Sequence, residues 1–198
     1  MRSRRRALGL LVACVLAAGA TAGCAQQSEL EKAQQDPTGA RPIGDGAVQT
    51  VAVGQRSGPV TLAGPLLDGT RWSLDDQRGK VVVVNKWGTW CPPCVAEMPL
   101  LQRAWVSLRA PHPDVRFVGL NVRESAATAQ AGARSFGITF PSLSDESDTL
   151  SLGLQGAANL TPTTLVLDRQ GRIAVRISGE VTSESTLRGL VEDVAAET

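Results

Sequence analysis

Val81-Val82-Val83-Val84 is an unbroken run of β-branched residues, and it constrains the fold more than any other stretch of the chain. A strand with one face in water alternates apolar and polar side chains. One that is apolar at every position needs cover on both faces, as in sheets layered by helices. Trp90-Cys91-Pro92-Pro93-Cys94 follows shortly afterwards. The spacing predicts that Cys91 is the N-cap of a helix whose first position is Pro92, where the missing N–H costs nothing and the fixed φ already suits the helix.

A cysteine at that position meets the positive end of the helix dipole, which favours thiolate over thiol. Cys91 is therefore read as the attacking sulfur. Cys94, one turn further in, is read as the sulfur that resolves a mixed disulfide. Pro92 and Pro93 carry no amide hydrogen, so of the first three helical residues only Cys94 can donate a backbone N–H to the Cys91 sulfur. The thiolate should be stabilised moderately, giving a couple nearer the reducing end.

Two other uses of a Cys-x-x-Cys pair fit less well. Zinc wants four ligands, and outside the pair the chain offers only Cys14, Cys24 and His112 as thiol or imidazole ligands. A purely structural disulfide across so short a loop would add only about 2 kcal/mol. No metal and no cofactor is expected.

The rest of the chain supplies a layered frame. Val48–Val53, Val60–Leu62 and Arg71–Leu74 alternate and should form a small antiparallel addition, with Asp68-Gly69 as a hairpin turn. Val95, Met98, Leu101, Trp105 and Leu108 recur at helical spacing, with Pro99 expected to kink that helix. Val115–Val122 is a second buried strand, and residues 124–136 form a helix closed by Gly137. Thr139–Leu143 reads as a short extended piece, and Asp145-Glu146-Ser147-Asp148 as the cap of a short helix rather than a calcium loop. Thr163–Asp168 and Ile173–Ser178 form a hairpin, and Leu187, Leu190, Val191 and Val194 mark a last helix. The predicted fold class is α/β with parallel and antiparallel strands in one mixed central sheet.

The N-terminus has a different character. Arg2, Arg4, Arg5 and Arg6 precede the apolar run Ala7–Ala20, and no acid occurs in the first 23 residues. This reads as an export signal rather than a membrane span. Four of the 20 basic residues lie there, leaving 16 against 19 acids, a net of −3, so no nucleic-acid surface is implied. Residues 1–23 are expected to be the signal, 24–45 a flexible tether of about 25 Å mean reach, and 46–198 the folded domain.

Thr21-Ala22-Gly23-Cys24 resembles the lipobox of bacterial lipoproteins, with Thr21 departing from the usual larger aliphatic residue. Lipidation at Cys24 would leave Cys91 and Cys94 as the only redox pair. Cleavage after Ala22 would instead release a secreted chain.

Three segments together carry a specific resemblance: residues 84–99 (Val-Asn-Lys-Trp-Gly-Thr-Trp-Cys-Pro-Pro-Cys-Val-Ala-Glu-Met-Pro), 136–141 (Phe-Gly-Ile-Thr-Phe-Pro) and 161–168 (Thr-Pro-Thr-Thr-Leu-Val-Leu-Asp). They resemble the TlpA/ResA-like extracytoplasmic thiol-disulfide oxidoreductases of the thioredoxin superfamily. That resemblance implies a thioredoxin-like fold with an N-terminal β-hairpin extension and a central helix-strand insertion, and a redox disulfide between Cys91 and Cys94. It further implies a cis Thr161–Pro162 bond facing the dithiol, with Trp90, Thr161 and Pro162 meeting substrate. Glu97 matches the family's acid, placed on the Cys94 side of the helix to take its proton. Lys86 departs from the aromatic or aliphatic residue usual there; an amine near Cys91 would favour the thiolate, against the proline argument.

The function implied is a monomeric, membrane-tethered reductant of protein disulfides, such as those of apocytochrome c. Its electrons would come from a membrane thiol reductase of the CcdA/DsbD type. The alternative is an oxidase or isomerase of exported disulfides, separable by reduction potential. A thiol peroxidase would need a Pro-x-x-x-Thr-x-x-Cys pattern, which is absent. A non-catalytic binding module would not need both cysteines.

Overall fold

A computed structural model describes residues 41–43 and 46–197. The stretch read as an export signal and Cys24 lie outside the described residues, as does most of the stretch read as a tether. The domain is a seven-stranded mixed sheet in the order β1-β2-β9-β8-β5-β6-β7, with a separate two-stranded hairpin, β3-β4. The strands are β1 (Arg41–Ile43), β2 (Gly46–Thr50), β3 (Ala63–Pro65), β4 (Arg71–Ser73), β5 (Val81–Trp87), β6 (Val115–Val122), β7 (Ser142–Asp145), β8 (Thr163–Leu167) and β9 (Ile173–Ser178). Three helices accompany them: α1 (Pro92–Arg109), α2 (Ala126–Ser135) and α3 (Glu184–Ala196).

β5 is interior to the sheet, parallel to β6 and antiparallel to β8. Every one of its residues is buried, so the uninterrupted valines have the two-sided cover they require. Val81, Val83 and Trp87 join one apolar cluster with Met98, Leu101 and Leu108 of α1 and Leu187, Val191 and Val194 of α3. Val82 and Val84 point the other way, into a second cluster with Leu62, Leu74, Leu154 and Leu165. The dithiol belongs to the first face.

The pre-domain segment differs from its sequence reading. β2 does not stay in a separate antiparallel addition; it pairs with β9 and extends the main sheet. The hairpin forms around Asp68-Gly69 as expected, but its first strand is Ala63–Pro65. Val60 and Leu62 are buried without being in a strand. Their alternation reports which side chains enter the core, not which amides enter a ladder. The extended piece predicted at 139–143 is shifted to Ser142–Asp145, where it pairs with β6. Residues 41–43, at the end of the stretch read as tether, pair with β2 at the sheet edge.

α1 runs unbroken through Pro99, so that proline does not end the helix. Ser125 caps α2 and Ser183 caps α3, each accepting from an N–H three residues on. Gly137 follows α2 at φ +69°, the left-handed position for which glycine pays no steric penalty. The Asp145 carboxylate accepts from the N–H groups of Thr149 and Leu150 at 2.8 and 2.9 Å, capping the short 3₁₀ turn Leu150–Leu154. The acidic cluster is thus used as a cap.

At the opposite end of the sheet from the dithiol, Arg56 ties three segments together. Its Nε donates to Val51 O at 3.0 Å, and its guanidinium meets Asp168 at 3.0 Å and both Glu197 oxygens at 2.6 Å. The Arg56 and Asp168 side chains are almost wholly buried. Burial opposes the Asp168 charge, yet the Arg172 backbone N–H and the Arg56 and Arg172 guanidinium groups hold its carboxyl below the usual range. Arg56→Ala should cost about 3 kcal/mol, because it strips a buried carboxylate of one of its two cations. In a domain of this size that is roughly 10 °C in Tm, readable in a thermal melt.

Candidate active site

β5, β6 and β7 run parallel, so their C-terminal ends and the loops that follow gather on one edge of the molecule. In open α/β sheets that edge is where reacting groups collect. Cys91, just past β5, is the N-cap of α1 with extended backbone angles. Pro92 and Pro93 take the first two helical positions, and among the described residues only the Cys94 N–H reaches the Cys91 sulfur, at 3.3 Å. The two cysteines form a disulfide with a Cα–Cα separation of 5.3 Å. Cys94 is fully enclosed, while Cys91 keeps 3% of its surface.

The approach to Cys91 is held rigid by its neighbours. Thr89 donates through its backbone N–H, at 2.9 Å, and through its hydroxyl to the Glu124 carboxylate, which also accepts from the Asn121 amide. Trp90 is 44% exposed beside the reactive sulfur, with its indole N–H given to Val122 O at 3.0 Å. A methyl group at Gly88 would run into that indole, so the close approach requires glycine.

Thr161–Pro162 is cis, as the resemblance implied. The β5–β8 register pairs Lys86 with Thr163, which puts Pro162 opposite Trp87, at the end of the sheet where the dithiol sits. Pro162 is buried and Thr161 partly exposed.

Glu97 is 1% exposed, on α1 one turn beyond Cys94. Its two oxygens accept from Asn85 Nδ2 at 2.8 Å and from the Val181 N–H at 2.7 Å. Burial pushes its carboxyl up from 4.5 to about 7; the two hydrogen bonds pull it down, and Glu180 adds a smaller upward push. The carboxyl therefore exchanges its proton near neutrality, as a proton acceptor must. Asn85 was not singled out from sequence, since only the β5 register brings it beneath Glu97.

Lys86 lies on the other face of β5. Its ammonium pairs with Asp148 at 2.8 Å and donates to Ala158 O at 3.0 Å, in the apolar cluster that does not contain the cysteines. Strand alternation decides this, because residues 85 and 87 face α1 and residue 86 cannot. The added stabilisation of the Cys91 thiolate that Lys86 would have supplied beside the sulfur is not available from there.

A disulfide-bonded helix N-cap at the end of a buried strand, with a cis-proline opposite, defines a thioredoxin-like dithiol protein. Comparison with known proteins agrees. The Redoxin family matches residues 50–192. Thiol-disulfide oxidoreductase ResA of Geobacillus thermodenitrificans is 36% identical over 134 residues, covering 68% of this chain and 74% of that one. ResA of Bacillus subtilis is 32% identical over 115 residues, covering 58% and 62%. A secreted thiol-disulfide isomerase from Corynebacterium glutamicum superposes with a TM-score of 0.70 at 32% identity, covering 80% of this chain and 98% of that one. A DsbF homologue from Corynebacterium diphtheriae gives 0.68 at 33%, covering 77% and 96%. The chain belongs to the Redoxin family, as a ResA-like thiol-disulfide oxidoreductase.

Proposed function

We propose that this oxidoreductase works outside the cytoplasm as a membrane-tethered reductant of protein disulfides, apocytochrome c among them. The Cys91 thiolate attacks a substrate disulfide, forming a mixed disulfide and releasing one substrate thiolate. Cys94 then gives its proton to Glu97 and attacks the Cys91 sulfur. The second substrate thiolate leaves, two electrons have passed, and the Cys91–Cys94 disulfide remains. Trp90, Thr161 and Pro162 form the face that meets substrate, with Thr161, partly exposed, offering its backbone to pair with an extended segment. A membrane thiol reductase of the CcdA/DsbD type restores the dithiol, and lipid on Cys24 keeps the two at one surface.

The observation that carries the direction of transfer is the single amide offered to the Cys91 sulfur. A thiolate with so few partners gives a couple toward the reducing end. The names of the relatives, oxidoreductases and a secreted isomerase, support exchange outside the cytoplasm. A deletion strain scored for covalent haem on c-type cytochromes should lose most of it and recover when a small thiol is added to the medium. Recovery with an added oxidant instead would overturn the direction and favour the oxidase or isomerase reading.

A further inference from the structure

Arg123 stands at the end of β6, one residue beyond the strand, on the edge that carries the dithiol. Its backbone is left-handed at φ +60°, an uncommon position for a residue with a Cβ. Its guanidinium lies over the Trp90 ring, 4.2 Å from the centroid. The Trp90 N–H is already engaged by Val122 O, so the ring holds the cation in place without using any of its donors.

Among the described residues no side-chain donor of Arg123 is in a hydrogen bond, although a guanidinium has five. The side chain is 54% exposed. The nearest acid, Asp148, presents its Oδ2 at 3.9 Å, beyond hydrogen-bond distance, while its Oδ1 accepts from Lys86 at 2.8 Å and from the Ser151 hydroxyl at 2.7 Å. Burial opposes the charge on Asp148, but Lys86, Ser151 and Arg123 together keep its carboxyl below the ordinary value. Lys86, Asp148 and Arg123 sum to one positive charge. The most exposed of the three is Arg123, fixed against the tryptophan that precedes Cys91.

We propose that Arg123 is a specificity-determining residue that binds a carboxylate on the polypeptide segment flanking the target cysteine, so that substrates with an acidic side chain there are reduced faster. This rests on the reading that polypeptide disulfides are the substrates. A planar donor fork already oriented by stacking suits a carboxylate. At the rim of a docking face such a charge acts mainly on association rate and on its salt dependence.

The test uses the full-length protein, reduced beforehand, in single-turnover reduction of two disulfide-linked peptides identical except for Asp or Lys beside the cysteine. The neutral hydroxyethyl disulfide serves as a third substrate. The expected result is a preference for the Asp peptide of roughly 5- to 10-fold at low salt, shrinking as ionic strength rises. Arg123→Ala should bring the ratio near one and Arg123→Glu should invert it, with hydroxyethyl disulfide reduced at the wild-type rate by both. An unchanged peptide ratio in Arg123→Glu would overturn the proposal, as would an equal fall for all three substrates, which marks a structural prop for Trp90. If the wild type reduces hydroxyethyl disulfide but neither peptide, the polypeptide reading fails together with this one.

Discussion

Cys94→Ala should leave the protein covalently attached to its targets. With the resolving sulfur gone, the mixed disulfide at Cys91 has no internal exit, and turnover should fall by roughly 10³-fold or more. Alanine is preferred to serine here because Cys94 is fully enclosed, and a hydroxyl at that point would be buried among apolar side chains. Non-reducing electrophoresis of cell extracts should show high-mass adducts that collapse on adding reductant. Cys91→Ala should show none. Adducts in equal amount from both variants would mean that the two sulfurs are interchangeable, contrary to the asymmetry between an N-cap thiol and one sealed inside α1.

Glu97→Gln should have the second large effect, and pH is the variable that isolates it. On the proposed mechanism, the step in which Cys94 attacks needs an ionised Glu97. Its rate should therefore rise with pH through about 7. The glutamine variant should lose that inflection and run about 100-fold slower at neutral pH. Stability supplies an independent readout. Below the ordinary carboxyl value of 4.5 the folded and unfolded chains both hold the proton, and above about 7 neither does. Between those limits only the folded state is protonated, so each step up in pH favours unfolding, by about 3 kcal/mol across the whole window. Denaturant titrations should show this decline in the wild type and a flat line in the variant. A wild-type curve without the decline would refute the buried-carboxyl account.

What could be read from sequence was local. The cysteine helix was legible because its determinants are contiguous: a β-branched strand, an N-cap, and two prolines that remove competing amides. The hairpin at Asp68-Gly69 and the cap at Asp145 follow from chemistry within a few residues. The cis Thr161–Pro162 bond came only through the family resemblance, since nothing in the neighbouring residues demands it. The misses depended on register. Arg56 and Glu197 are 141 residues apart, and nothing near either one names the other. Lys86 could be assigned a side only once strand alternation fixed Trp87 toward α1. Glu97, by contrast, was picked out through the resemblance alone, since by type it fits an exposed helix site, and the Val181 N–H that reaches it sits on a loop that no periodicity in α1 records.

The β3–β4 hairpin has a further consequence. Leu66 bridges to Leu143, and the Leu67 N–H donates to Ser142 O at 2.9 Å, so the hairpin closes off the outer side of β7. Left bare, that strand would present unpaired amides to any neighbouring chain and invite intermolecular pairing. Residues 63–73 precede residues 142–145 in the chain, so during synthesis the guard exists before the vulnerable border it protects. Shortening the hairpin would therefore threaten solubility well before it touched electron transfer.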